Sequence, residues 1–400
     1  MQKIGVRLTG RMIHGIDGSS YSQPYGPNEE EHYLLSVPRP ELNAALLDAC
    51  DEEPNVNLHF GHKLVNLELP KKGAEESTVN MTFDQPGAPG RPIRKEFKSV
   101  LGCDGMYSRV RQSMQRKGRF NFQQAFIPAG YKELLIPAKE AIAHALSRSA
   151  LHIWPRGKFM MIAQPNKDGS FSCTLFMPFS AEHSPSGSFD ALQTEADVQA
   201  FFDTNFPDAI PLLPTLLADW FSHPTNPLCT VRCWPFHHGG SACLVGDSAH
   251  AIVPFYGQGC NSAFEDCRVL SDIWDAHAAA AAGGAGVDLD RVYSEFAAAR
   301  KPNVDAIADL AIEHYHELAD RTNSPLQRLR GRFDNVISEL YPGYISLYHA
   351  VSFTTIPYRE ARAKAASWDK VVAATSLTVM LSILVAGLAA LAQMATRYVR

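Results

Sequence analysis

Gly246-Asp247-Ser248-Ala249-His250-Ala251-Ile252-Val253-Pro254-Phe255-Tyr256-Gly257-Gln258-Gly259 is the stretch whose reading decides the fold. It follows an apolar run, Ala242-Cys243-Leu244-Val245, that reads as a strand, and it opens into a helical pattern over residues 260–276. Gly246 has no Cβ, so another molecule can approach the backbone there. Asp247 supplies a charged acceptor for a sugar or ribityl hydroxyl. The Gly257-Gln258-Gly259 turn leaves free N–H groups at a helix start, where an anion or a ring carbonyl is welcome. A Gly-Asp pair alone also suits a plain tight joint. Pro254 and the second glycine turn at this spacing argue for a binding turn instead.

The bulk numbers set the frame. Four hundred residues are enough for two domains with their own cores. Apolar residues make up 46% and charged residues 20%, a globular composition. The net charge of −5 argues against a nucleic-acid partner, which would need a basic face. Eight cysteines are scattered without framework spacing, and Cys229 and Cys233 have no second pair at zinc spacing, so they read as reduced thiols and no metal is expected.

Two further motifs join the first: Gly102-Cys103-Asp104-Gly105-Met106-Tyr107-Ser108-Arg109-Val110-Arg111 and Arg39-Pro40-Glu41-Leu42. Together the three resemble the FAD-binding motifs of the flavin-dependent aromatic hydroxylases. The similarity runs from about Arg11 to the C-terminus. Within the family it is most similar to the branch acting on kynurenine, through Arg11-Met12-Ile13-His14, Pro24-Tyr25-Gly26, Leu151-His152-Ile153-Trp154-Pro155-Arg156, Cys173-Thr174-Leu175-Phe176-Met177-Pro178-Phe179 and residues 250–259. The family opens with a strand, a Gly-x-Gly-x-x-Gly turn and a helix. This chain has no such motif, so the expectation is an FAD domain whose first βαβ unit, about 30 residues, is missing, with Met1 entering at a later strand over residues 4–8.

The resemblance implies hydroxylation of an aromatic ring with FAD, NADPH and dioxygen, the flavin carrying the chemistry, so no side chain is expected as a catalytic nucleophile or base. The implied FAD contacts are Gly246, Asp247 (ribityl chain), Pro254, Gly257, Gln258, Gly259, Cys260 and Asn261 (ring), Arg39, Leu64 and Asp104, with Arg109 helping NADPH. Cys260 stands where the family has methionine. The implied substrate contacts are Arg11, Tyr25 and Tyr348 as a carboxylate clamp, with Phe176 and Phe255 around the ring. His314 occupies the place of a clamp asparagine. It can donate to a carboxylate, but it is larger and its charge varies near neutral pH.

The expected architecture is α/β (α+β). A Rossmann-like FAD domain, residues 1–115 and 236–300, interleaves with an antiparallel-sheet substrate domain, 116–235. A helical region, 301–365, and a membrane helix, 371–392, follow. Residues 56–69 alternate as a strand. The runs 159–163 and 171–176 read as a hairpin around Asp168-Gly169, and residues 278–286 read as an Ala/Gly loop. The charge-free run 371–392 would span about 33 Å as a helix, which matches a bilayer core. Lys364 and Lys370 precede it, and Arg397 and Arg400 follow. The resemblance implies a tail anchor in the mitochondrial outer membrane with the enzyme facing the cytosol. Two other readings stay open: a truncated non-catalytic relative, and an FAD hydroxylase of another aromatic acid.

Overall fold

A computed structural model describes residues 4–26, 28–71, 78–85, 87, 91–185, 187–281, 286–321, 344–368 and 370–371, with backbone alone at 316–321. Strands β1 (Val6–Leu8), β2 (Gly10–His14), β3 (Ser20–Pro24) and β4 (Leu34–Ser36) come first, then helix α1 (Arg39–Asp51). Strands β5 (Lys63–Glu68), β6 (Val79–Asp84) and β7 (Ile93–Phe97) form one antiparallel sheet, followed by β8 (Val100–Gly102) and helix α2 (Arg109–Gln115). Next are β9 (Asn121–Ile136), α3 (Ala138–Ala143), β10 (Ala150–Arg156), β11 (Phe159–Pro165) and β12 (Phe171–Pro178). Helices α4 (Glu195–Asn205) and α5 (Leu216–Ser222) precede β13 (Asn226–Trp234), β14 (His237–His238) and β15 (Ala242–Leu244). Helices α6 (Asp247–His250), α7 (Gly259–Ala280), α8 (Leu289–Arg321) and α9 (Leu347–Phe353) follow.

The largest sheet has seven strands in the order β13-β9-β12-β11-β10-β2-β3. Side chains on a strand alternate between faces, so a central strand of this sheet serves two surroundings. On one face Trp154, Met161, Ala163, Cys173 and Leu175 pack against Val198, Phe202, Phe206 and Trp220 in the main core. Thr194 and Asp197 close a capping box that starts α4 against this face. On the other face Tyr131, Met160, Ile162, Phe176 and Leu228 meet Val253, Phe255, Ala311 and Ile312. Arg232 of β13 pairs with Asp309 of α8 at 2.5 Å and ties that helix over this second face.

The 159–176 hairpin forms in register, Met160 opposite Phe176 and Ile162 opposite Thr174, with Gly169 at φ +94° in its turn. Several expectations change. The sheet takes β2 and β3 from outside residues 116–235, and β2 joins β10 in parallel, Arg11 opposite Leu151. Pairing over residues 56–69 begins only at Lys63, because Gly61 at φ +67° turns the chain just before it. Helix α7 runs on to Ala280, so the alanines of the expected 278–286 loop partly extend the helix, as alanine favours. The first strand is β1, antiparallel to β4. In the FAD-domain part, β8 and β15 pair in parallel, Val100 opposite Ala242.

The chain forms two compact units, Met1–Lys301 with Ala308–Ser324, and Pro302–Ile307 with Pro325–Arg400. In the second, Ser346 caps α9 by accepting the His349 N–H at 3.2 Å, and Asn303 Oδ1 accepts the Arg359 N–H at 3.2 Å. Among the described residues no helix is long and apolar enough to cross a membrane. The run 371–392 lies, apart from Val371, outside them.

Candidate active site

The turn after β15 has a defined geometry. Gly246 sits at φ +64°, ψ −142°, a conformation L side chains avoid, and a Cβ there would meet Ala263 Cβ at 3.2 Å. The turn therefore requires glycine, but Gly246 is itself buried, so the open backbone expected there is replaced by a packed one. Its neighbours Val245, Ser248, Ala249 and His250 are buried while Asp247 is exposed, so one carboxylate projects from a rigid support. The Pro254–Tyr256 turn ends at Gly257 in the left-handed region, φ +67°, and α7 starts two residues later. No side chain caps α7, and Cys260 and Asn261 are exposed, so its first N–H groups remain open to a ligand. Gln258 is buried, and its amide oxygen accepts from Asn261 Nδ2 at 3.3 Å.

A buried charge network holds this turn. Asp266 of α7, fully buried, accepts the Gly246 N–H at 2.8 Å, His250 Nε2 at 2.6 Å and Arg300 Nε at 2.6 Å. Arg300 of α8 also reaches Glu265 at 2.7 Å. Burial works to raise the Asp266 carboxyl, but the His250 hydrogen bond, the His250 and Arg300 charges and the Gly246 N–H outweigh it and hold Asp266 below the usual carboxylate range. Sequence reasoning missed Asp266, His250 and Arg300. The signal was present: Ser262, Asp266 and Leu270 share one helical stripe, and a carboxylate on an inward stripe needs partners.

The Asp-Gly loop is tied to the same turn. Asp104 Oδ2 accepts the N–H groups of Arg109 at 2.6 Å and Val110 at 3.2 Å, so this carboxylate organises the start of α2. Arg111, buried, donates to Ser248 O at 2.6 Å and Met106 O at 2.5 Å, joining the loop to the turn. Arg109 is exposed and donates to Gln112 at 3.2 Å. Burial pushes the Cys260 thiol up, Asp247 adds to this and Arg39 opposes it, so Arg39 at the start of α1 and Asp247 both lie within electrostatic reach of Cys260. Leu64 stands apart in β5, opposite Phe83, in the sheet that packs on α2.

The expected clamp and cage residues meet in part. The Arg11 guanidinium lies 5.7 Å from the Tyr25 ring centre. Gly10 makes the approach of β2 and β3 possible, since a Cβ there would meet Gln23 O at 2.7 Å. Register places Arg11 on the face of Ile153 and Ile162, the face that carries Phe176. Phe176 and Phe255 lie 5.2 Å apart between ring centres, and Phe255 and Tyr315 4.8 Å. They line a shallow cleft with Met160 and Lys158. His314 lies 5.2 Å from the Tyr256 ring, beside the turn that leads to Gly257. Tyr348 belongs to the second unit, on α9, 6.2 Å from Phe353. Tyr315 and Met160 were not anticipated, although the period-2 pattern of 159–163 puts Met160 and Ile162 on one face.

A family model described as FAD binding domain matches residues 22–307. The kynurenine 3-monooxygenase of Anopheles gambiae is 38% identical over 375 residues, covering 92% of this chain and 71% of that protein. The chain belongs to the kynurenine 3-monooxygenase family. Other members include that of Myxococcus xanthus, 38% identical over 94% of this chain and 76% of its own length, and that of Dictyostelium discoideum, 38% identical over 90% and 76%. Among solved structures, the tetrameric form of 2-methyl-3-hydroxypyridine-5-carboxylic acid oxygenase shares the fold, with a TM-score of 0.57 and 17% identity over 81% of this chain and 78% of that one. Membership of the kynurenine 3-monooxygenase family makes the chain a flavin-dependent monooxygenase, with FAD as its cofactor.

The residues present fit the ribityl and ring half of FAD. Asp247 is an exposed carboxylate on a buried turn, Gly257 is exposed in the left-handed region, and the α7 start is uncapped. Two substitutions should separate support from contact. Asp266→Ala leaves buried His250 without its carboxylate and Arg300 with Glu265 alone, and should lower stability by about 3 kcal/mol in urea unfolding. Asp247→Ala, at an exposed position, should shift the flavin-free unfolding midpoint by less than about 0.5 kcal/mol, yet lower the flavin retained on purification. Unchanged flavin content would remove Asp247 from the site.

Proposed function

We propose that this chain hydroxylates kynurenine at ring carbon 3, with NADPH and dioxygen as co-substrates. The observation that carries the reading is Arg11 beside Tyr25 on the sheet face that also bears the Phe176–Phe255 cage. An aromatic amino acid needs both: a cation with hydroxyl donors for its carboxylate, and an apolar slot for its ring. FAD, when bound, supplies the electrons from NADPH and activates dioxygen. The rest falls to side chains. Arg11 and Tyr25 hold the carboxylate, so the ring enters in one orientation. Phe176, Phe255 and Tyr315 enclose the ring and keep water away. The open N–H groups at the start of α7 favour negative charge on the flavin pyrimidine side. His314 takes a further clamp position that the resemblance assigns.

His314 favours a second reading, a related aromatic acid as substrate, because a histidine there changes both size and charge. NADPH oxidation measured against a panel of aromatic acids separates the two. Stimulation by another acid and not by kynurenine would select the second.

We also propose that residues 371–392 attach the chain to a membrane, with the mitochondrial outer membrane as the expected site and the enzyme facing the cytosol. The support is the charge-free apolar run and its basic flanks.

Arg11→Ala should raise KM for kynurenine with little change in kcat. Loss of a charge-assisted contact of about 1.5–3 kcal/mol corresponds to roughly ten- to hundredfold in kcat/KM. A KM at the wild-type value would end the clamp assignment. Deleting residues 371–400 should move the protein from the carbonate-resistant membrane fraction to the supernatant. Retention in the pellet would overturn the anchor.

A further inference from the structure

Two motifs remain that the flavin turn and the cage do not use: His14 at the end of β2, and His152-Ile153-Trp154-Pro155-Arg156 of β10. They meet on the core face of the large sheet. The His14 ring stacks on Trp154 with centres 4.2 Å apart and planes 9° apart, and on His152 at 5.1 Å. His14 Nε2 and His152 Nδ1 are 2.8 Å apart, and His152 Nε2 is 2.8 Å from the Ser147 carbonyl oxygen.

The tautomers follow from these partners. A carbonyl only accepts, so neutral His152 donates from Nε2 and its Nδ1 is an acceptor. His14 Nε2 must then donate to it, and His14 Nδ1 is left with its lone pair, 3.7 Å from Asp208 Oδ2. Asp208 already accepts Trp154 Nε1–H at 2.7 Å, and its other oxygen lies 3.5 Å from Arg156. Arg156 in turn donates to the Asn205 carbonyl and to the His14 carbonyl, the latter at 2.9 Å. The C-terminal end of β2 is thus gripped twice, through the His14 ring and through its backbone.

That grip matters because of what β2 lacks on its other side. Its outer neighbour β3 is the edge strand and is exposed at all five positions. Arg11 is three residues before His14, on the opposite face of the same five-residue strand. Strand β10 is therefore the support that decides where Arg11 points. We propose that His14 and His152 are positioning residues for the substrate carboxylate: their neutral ring pair, wedged on Trp154 and bounded by Asp208 and Arg156, locks β2 to β10 and so presents Arg11. The inference rests on Arg11 being the carboxylate clamp.

The lock is sensitive to protons at one atom. Charged and titratable groups around His14 are His152 and Arg156 of β10 and Asp208 in the turn after α4. Its partner across the ladder on β3 is Ser20, which is uncharged. Burial pushes His14 down from 6.5 to about 4, His152 adds, Asp208 opposes and Arg156 adds. Burial also lowers His152, with the Ser147 carbonyl opposing. A histidine whose folded value is depressed resists protonation. The neutral stack is complete at and above pH 6.5, and it is lost as pH falls toward 4.

The test is kynurenine binding to the full chain by calorimetry, alongside kynuramine, the same molecule without the carboxylate. His14→Ala should weaken kynurenine about tenfold and leave kynuramine unchanged. His14→Gln keeps an N–H donor for His152 and should restore binding near neutral pH. It should also abolish the weakening, roughly twofold at pH 4, that protonation of His14 brings to the wild type. Equal weakening of both ligands by His14→Ala would mean a general packing role and overturn the proposal. So would unchanged kynurenine binding while Arg11→Ala weakens it. If Arg11→Ala itself has no effect on kynurenine, the clamp reading fails, and this inference falls with it.

Discussion

Alternation along a β-strand constrains this molecule more than any single contact. Strands β9, β11 and β12 of the seven-stranded sheet point alternate side chains into the main core and the others toward the cage. The core face holds Trp154, Met161 and Leu175, which fix the strands. The opposite face then carries Ile162, Phe176 and Arg11 at set spacings. A one-residue slip would exchange the two sets. The face that carries Arg11 and Phe176 is therefore held by residues on the opposite face, and its accuracy depends on the packing behind it.

The flavin side uses a different device. There the chain must hold buried backbone in a conformation only glycine tolerates, at Gly246, and leave Asp247 exposed beside it. The compensating order lies beneath, where Asp266 draws together α7, α8 and the turn through Arg300, His250 and the Gly246 N–H. A buried carboxylate with this many charged and hydrogen-bonded partners need not add much net stability. It specifies one arrangement, and the turn takes its shape from it.

How much of this was legible in the sequence depended on the range of the interaction. The 159–176 hairpin, the helix after Gly259 and the glycine turns are local, and their period or turn residues announce them. The partnership of β2 with β10 has no local signature, so residues 10–24 read as part of the FAD domain when they complete the other sheet. Asp104 was read as a cofactor contact, while the structure also gives it backbone N–H groups five and six positions ahead. Tyr315 next to His314 was passed over because neighbouring helical residues point apart. Both nonetheless reach the same short turn, at Phe255 and Tyr256. Motif resemblance supplied the roles of Arg11 and Tyr25, which no periodicity reveals.

The parallel seam between β2 and β10 also sets an order of events during synthesis. His14 and His152 are 138 positions apart, and every other described pairing of the large sheet is antiparallel. At ribosomal speeds, on the order of ten seconds pass between the emergence of the two strands. Through that interval β2 has only its hairpin partner β3, and a lone two-stranded hairpin is marginal in water. Strand β2 must wait for β10 before it gains a second neighbour. Nascent chains of this protein therefore carry an unpaired, partly apolar edge for much of translation, and their yield in a cell should depend on what shields that edge.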